Sequence, residues 1–232
     1  ECSRKGNHEF KSVDVEKRIA KKLREFGFEV DFKDYDDVFY IDILEDNCFL
    51  GRLIEKNLCK RDYRVKLCAS TVNACLSASV LRLVGLKKGE VFLDPLCQDG
   101  VIAIEASYFT NKVYGFGKDV YAAKINMKIG KRKVNFGKYD LNWLMTKFDE
   151  NSVDKIVMYL PSVSKKRRDV SGLYKYFFNN VKFVLNGKLG IICHKSDLVK
   201  KYATDFKLVE ERKVSVGNEV FNVLIFEKDQ KI

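Results

Sequence analysis

From residue 71 to residue 202 short apolar runs alternate with longer amphipathic ones, and this alternation limits the fold more than any other feature of the chain. The pattern predicts helices over 71–84, 101–109, 120–129, 173–185 and 198–202. It predicts strands over 91–94, 112–115, 154–159 and 189–194. Strand–helix alternation demands a parallel sheet with helices on both faces. The end of the chain breaks the rhythm. Segments 206–216 and 219–227 flank Gly217 and Asn218, which reads as an antiparallel hairpin. Ahead of residue 71 the order is different. Ser12 is placed as an N-cap, with Asp14 and Glu16 in the first turn. Val15, Ile19, Leu23 and Phe26 fall on one helical face, and Gly27 stops the helix. Strands are expected over 28–32, 38–44 and 48–54. The chain therefore divides into a small α+β piece, 1–64, and an α/β domain, 65–232.

Composition excludes several classes. At 46% hydrophobic residues the chain is too apolar to be disordered. No apolar run approaches the ~18 residues that span a bilayer, so no membrane association is expected. Residues 1–9 are polar and charged, so no signal peptide is predicted. The chain opens on Glu1, not Met, and a preceding segment is expected. The seven cysteines are odd in number, none is spaced C-x-x-C, and only two histidines accompany them. That argues against a metal site and for reduced, mostly buried thiols in a cytoplasmic protein. Charge is unevenly spread. Residues 1–64 carry 14 basic and 15 acidic side chains, whereas 65–232 carry 29 and 17. Such a basic second part attracts polyanions, nucleic acid above all.

In open α/β sheets ligands bind beyond the carboxyl ends of the strands. The first such turn here is Asp94-Pro95-Leu96-Cys97-Gln98-Asp99-Gly100, leading into Val101-Ile102-Ala103-Ile104-Glu105-Ala106. Gly100 would let backbone approach a ligand, and the helix N-terminus beyond it favours an anion. This wording resembles the D-P-F-C-G-S-G-T-I-x-I-E-A motif of the THUMP-containing tRNA guanine-N2 methyltransferases. Asp94, Pro95, Cys97, Gly100, Ile102, Ile104, Glu105 and Ala106 match it. Arg4, His8, Phe10, Ser12, Asp14 and Glu16 resemble the second half of a THUMP domain. Gly51 and Lys60-Arg61-Asp62-Tyr63-Arg64 resemble its exit into the methyltransferase domain.

The resemblance implies a Rossmann-like S-adenosylmethionine methyltransferase fold with a C-terminal antiparallel hairpin, preceded by a partial THUMP domain. It implies S-adenosylmethionine as cofactor, tRNA as partner and the exocyclic N2 of a guanine as target. It assigns cofactor contacts to Asp94, Pro95, Cys97, Gln98 and Gly100, to Ser70 before the first motif, to Asp119 after the second strand and to Asp140 near the adenine. It assigns the catalytic motif to Tyr159-Leu160-Pro161-Ser162.

Several positions depart from the family pattern. Gln98 stands at a glycine position and crowds the methionine end of the cofactor. Asp99 stands at a serine position and adds negative charge beside the cofactor carboxylate. The second strand ends Gly115-Phe116-Gly117, without the acid that grips a ribose; Asp119 is a substitute or a helix cap. Tyr159 and Ser162 replace the asparagine and the aromatic of the family motif, with Tyr159 left as a shifted stacking platform. Ser70 and Asn73 read as polar contacts or helix-start residues. For RNA, Arg4, Lys60, Arg61, Arg64 and the run Lys165, Lys166, Arg167 and Arg168 are the candidates, with Lys128, Lys131, Arg132 and Lys133 as a further cluster. Tyr174, Phe177 and Phe178 read as core. The expected function is tRNA methylation. The alternatives are an inactive RNA-binding or accessory protein on the same scaffold, with a protein partner, and a methyltransferase of altered target.

Overall fold

A computed structural model of the chain describes residues 1–55, 59–139, 143–160 and 170–228. The chain divides into two compact units, Glu1–Leu58 and Cys59–Ile232.

The first unit holds β1 (Cys2–Lys5), α1 (Ser12–Glu25), β2 (Phe39–Leu44) and β3 (Asn47–Arg52). Its sheet runs β1-β2-β3, with β1 parallel and β3 antiparallel to β2. Ser12 lies inside α1, not at its cap. Lys11 is the N-cap, and the Asp14 carboxylate accepts its backbone N–H at 2.9 Å. The helix stops at Glu25, which leaves Phe26 76% exposed and not on the apolar face. The strand expected over 28–32 is a loop. Asp31 Oδ1 accepts the backbone N–H groups of Lys33 (2.7 Å) and Asp34 (3.2 Å), a local turn that competes with strand pairing. The same bonds hold the Asp31 carboxyl below its usual range.

The second unit alternates as predicted: α2 (Ala74–Leu83), β4 (Val91–Asp94), α3 (Val101–Ala106), β5 (Lys112–Gly117), α4 (Tyr121–Ile129), β6 (Asn135–Lys138), α5 (Leu144–Lys147), β7 (Val153–Leu160), α6 (Val170–Val184), β8 (Leu185–Cys193), α7 (Ser196–Tyr202), β9 (Phe206–Val216) and β10 (Glu219–Lys228). Asn73 caps α2, its side-chain oxygen accepting from Cys75 and Leu76 N–H. The sheet order is β6-β5-β4-β7-β8-β10-β9. All neighbours from β6 to β8 are parallel, and β10 inserts antiparallel between β8 and β9. This is the expected α/β methyltransferase layout. The strand order reverses between β4 and β7, which opens a crevice at their carboxyl ends.

Period-two alternation along the strands sorts the core into two layers. Phe92, Val113, Val157 and Ile192 pack under α2 and α3 on one face. Leu93, Phe116, Ile156, Met158 and Ile191 pack against α6 and α7 on the other, with Tyr174, Phe177 and Phe178 buried among them as expected. Strands β1 and β6 are short and polar (Cys-Ser-Arg-Lys and Asn-Phe-Gly-Lys), and each lies at a sheet edge, where no apolar alternation is required.

Candidate active site

The loop from Asp94 to Gly100 leaves β4 at the β4/β7 crevice and is fastened along its length. Asp94 is buried, at 1% exposure. Its Oδ1 accepts Leu96 N–H at 3.2 Å, while Oδ2 is buried with no hydrogen-bond partner. Burial pushes this carboxyl well above the usual range, and nearby Asp99 adds to the rise. Pro95 is buried beside it. Cys97 donates its N–H to Phe116 O at 2.8 Å, tying the loop to the end of β5, and burial raises its thiol strongly. Gln98 has φ +45°, so it keeps a left-handed, glycine-type backbone while carrying a side chain.

Gly100 has φ +82° and starts α3. A Cβ there would lie 2.8 Å from Ala123 Cβ and from Phe136 Cζ. Its missing side chain thus makes room for α4 and β6. Asp99 is held by partners of its own unit. It is 1% exposed, accepts from Thr71 Oγ1 at 2.5 Å and pairs with Arg64 Nη2 at 3.5 Å. Its charge is paired with Arg64 inside the unit, while its Oδ1 is buried without a hydrogen-bond partner. Asn126 fixes the same point: it donates to Asp99 O and Lys66 O and accepts from Val65 and Lys66 N–H. Neither Thr71 nor Asn126 stood out in the sequence, because their partners lie 28 and 27 residues away.

The remaining predicted positions separate. β5 ends at Gly117 without an acid, and Asp119 Oδ1 accepts Tyr121 N–H at 3.0 Å at the start of α4. Its residue is otherwise exposed. Ser70 is exposed in a turn ahead of α2. Tyr159 sits at the end of β7, 7% exposed, with its ring edge-on to Phe221 at 6.1 Å. That buried ring is not a stacking platform for a base, which corrects the expectation. Its hydroxyl instead meets His194 Nε2 at 3.1 Å, a partner that no motif signalled. Leu160 is half-buried against the α6 layer. Asp140, Pro161, Ser162 and Lys165 to Arg168 lie outside the described residues. Among the described residues no cluster of three or more His, Cys, Asp or Glu could hold a metal ion, and all seven cysteines are free thiols. No helix among them is long and apolar enough to cross a membrane.

Comparison with known proteins agrees with this fold. The THUMP family profile matches residues 1–52, and the UPF0020 profile, an RMKL-like methyltransferase domain, matches residues 61–147. A THUMP-like segment is thus followed by a segment similar to the UPF0020 methyltransferase domain. It is 28% identical to a tRNA (guanine(6)-N2)-methyltransferase of Thermus thermophilus, over 98% of this chain and 71% of that one. The crystal structure of TrmN from Thermus thermophilus superposes with TM-score 0.73 at 27% identity, covering 98% of this chain and 70% of that one. A protein solved in complex with SAH shares the fold, with TM-score 0.63 at 15% identity over 100% of this chain and 74% of that one.

The basic residues of the chain fall into two groups. Arg61 and Arg64 turn inward, a correction to their placement as RNA contacts. Arg61 Nε pairs with Glu105 Oε1 at 2.8 Å, and Tyr63 donates to the same oxygen at 2.7 Å. Glu105 on α3 is 5% exposed, and this pairing raises the Arg61 guanidinium. Burial, then Glu105, raises the Tyr63 phenol. Arg132 also turns inward, onto Ser107 and over the Tyr108 ring at 4.1 Å. In the THUMP unit Arg4 meets His8 Nδ1 at 3.1 Å. Lys60, Lys128, Lys131 and Lys133 are exposed, Lys60 beside Asp62 at 3.9 Å. A hollow of about 620 Å³ in the THUMP unit is lined by Glu29, Asp31, Asp34, Asp36 and Asp37, which suits no phosphate.

Proposed function

We propose that this chain is an S-adenosylmethionine-dependent tRNA methyltransferase acting on the exocyclic N2 of a guanine in the cytoplasm. The observation that carries this reading is the likeness to the Thermus thermophilus enzyme, which runs through both units in the same order. The residues at the crevice suit the cofactor. Asp94 offers a buried carboxylate oxygen with no protein partner, a fitting acceptor for the amine of the methionine end. Gln98 keeps the loop in its left-handed turn. The exposed Asp119 carboxylate follows the end of β5 and is the nearest acid in sequence for ribose hydroxyls. The bound cofactor supplies an electrophilic methyl group on a sulfonium. The chain's own part is to position the donor, admit an extruded base and take up the proton that the amine loses. The exposed lysines 60, 128, 131 and 133 are the groups that would grip RNA phosphates.

One observation favours a second reading, an RNA-binding protein without catalysis: β5 ends at Gly117 with no acid in the usual place. Tritiated S-adenosylmethionine incubated with the chain and unmodified tRNA separates the two. The first reading expects label in the tRNA, recovered after digestion as N2-methylguanosine. Bound tRNA without label would establish the second.

A further inference from the structure

Two titratable side chains meet at the carboxyl rim of adjacent strands. Leu93 of β4 lies opposite Ile156 of β7, so Asp94 is level with Val157 and Tyr159 stands two residues beyond the end of β4. His194 follows β8, whose Ile192 pairs with Tyr159. The tautomer of His194 follows from its partners. Nδ1 lies 3.1 Å from the Val220 carbonyl, which can only accept, so Nδ1 carries the ring proton. In the neutral imidazole Nε2 is then a bare acceptor, and it faces the Tyr159 hydroxyl at 3.1 Å. The phenol proton is committed to His194, and the phenol oxygen keeps a lone pair. The imidazole packs on Phe221 at 4.6 Å and is held at Nδ1 by Val220, while Asn222 donates to the His194 backbone carbonyl at 2.8 Å.

We propose that Tyr159 and His194 form the proton acceptor for methyl transfer to the guanine amine, Tyr159 as the catalytic group and His194 as the positioning residue behind it. The inference rests on the methyltransferase reading. As the guanine nitrogen forms its bond to the methyl carbon, the carbon–sulfur bond breaks and its electron pair stays on sulfur. The nitrogen gives one proton to the Tyr159 oxygen, and the phenol's own proton passes to His194 Nε2. The products are a neutral methylated amine, a neutral thioether and an imidazolium, which the Val220 carbonyl stabilises at Nδ1. Burial first, then Glu219 and Cys193, keep Tyr159 in the phenol form, so it relays a proton and does not sit as a phenolate. The other histidine, His8, is of opposite type: its Nε2 meets the Glu45 carbonyl at 2.8 Å, so it carries the proton there.

The two histidines make the test direct. Long-range proton–nitrogen NMR of the labelled chain should show one Nε2-protonated ring, His8, and one Nδ1-protonated ring, His194. In Tyr159→Phe the His194 Nε2 resonance should shift and that of His8 should not. Single-turnover transfer to unmodified tRNA should fall about 100-fold in Tyr159→Phe and in His194→Gln, the scale of general-base assistance. Cofactor affinity measured by calorimetry should be unchanged in both. An Nε2-protonated His194, or a Tyr159→Phe variant that transfers at the wild-type rate, would overturn the proton-acceptor role alone. A wild-type chain that neither binds the cofactor nor transfers methyl would overturn the methyltransferase reading itself.

Discussion

Asp94 pays for its position, since a carboxylate with one buried, unpartnered oxygen is disfavoured by desolvation. Its folded pKa is raised, so the folded chain binds this proton more tightly than the unfolded chain does. The stability it contributes is therefore full below the ordinary value of 3.8 and is lost as pH rises from there toward the raised folded value. Asp94→Asn removes the titration. We expect a melting temperature at pH 7 at least equal to wild type, together with weaker S-adenosylmethionine binding. A variant that melts lower and binds as before would show that the charge is needed by the fold and not by the ligand. The Asp94–Gly100 wording located this loop in the sequence. The fate of Asp99 was not legible, because an acid at a serine position reads as a clash until Arg64 is seen to pair with it and Thr71 to donate to it.

Between elements, Gly100 is a tight junction. It needs a left-handed backbone, and any side chain would press on Ala123 of α4 and Phe136 of β6. Gly100→Ala should cost about 2 kcal/mol or more in urea unfolding, from backbone strain and overpacking together. A cost below about 0.5 kcal/mol would mean that α4 and β6 do not close over the loop as described. The long elements were legible because burial marks them, with a period of 3.6 residues in α2 and an unbroken apolar run from Ile156 to Leu160 in β7. Edge strands β1 and β6 are too short and polar to carry such a trace. Segment 28–32 alternates like a strand but was claimed by the Asp31 turn, a side-chain bond that periodicity does not register.

At the level of the whole molecule, the surplus of basic groups lies in residues 65–232, while the hollow of the THUMP unit is acid-lined. If exposed lysines carry the RNA contact, the logarithm of tRNA affinity should fall linearly with the logarithm of salt concentration, by about 0.7 to 0.9 per phosphate neutralised. A salt-independent affinity would assign binding to stacking or shape instead. On this reading the β4/β7 crevice holds S-adenosylmethionine despite Gln98 and the missing acid after β5. Calorimetric titration of S-adenosylmethionine into the chain tests it most directly. One site with affinity on the order of micromolar, within the usual range for enzyme substrates, is the predicted result. No heat and no thermal stabilisation at millimolar ligand would contradict it.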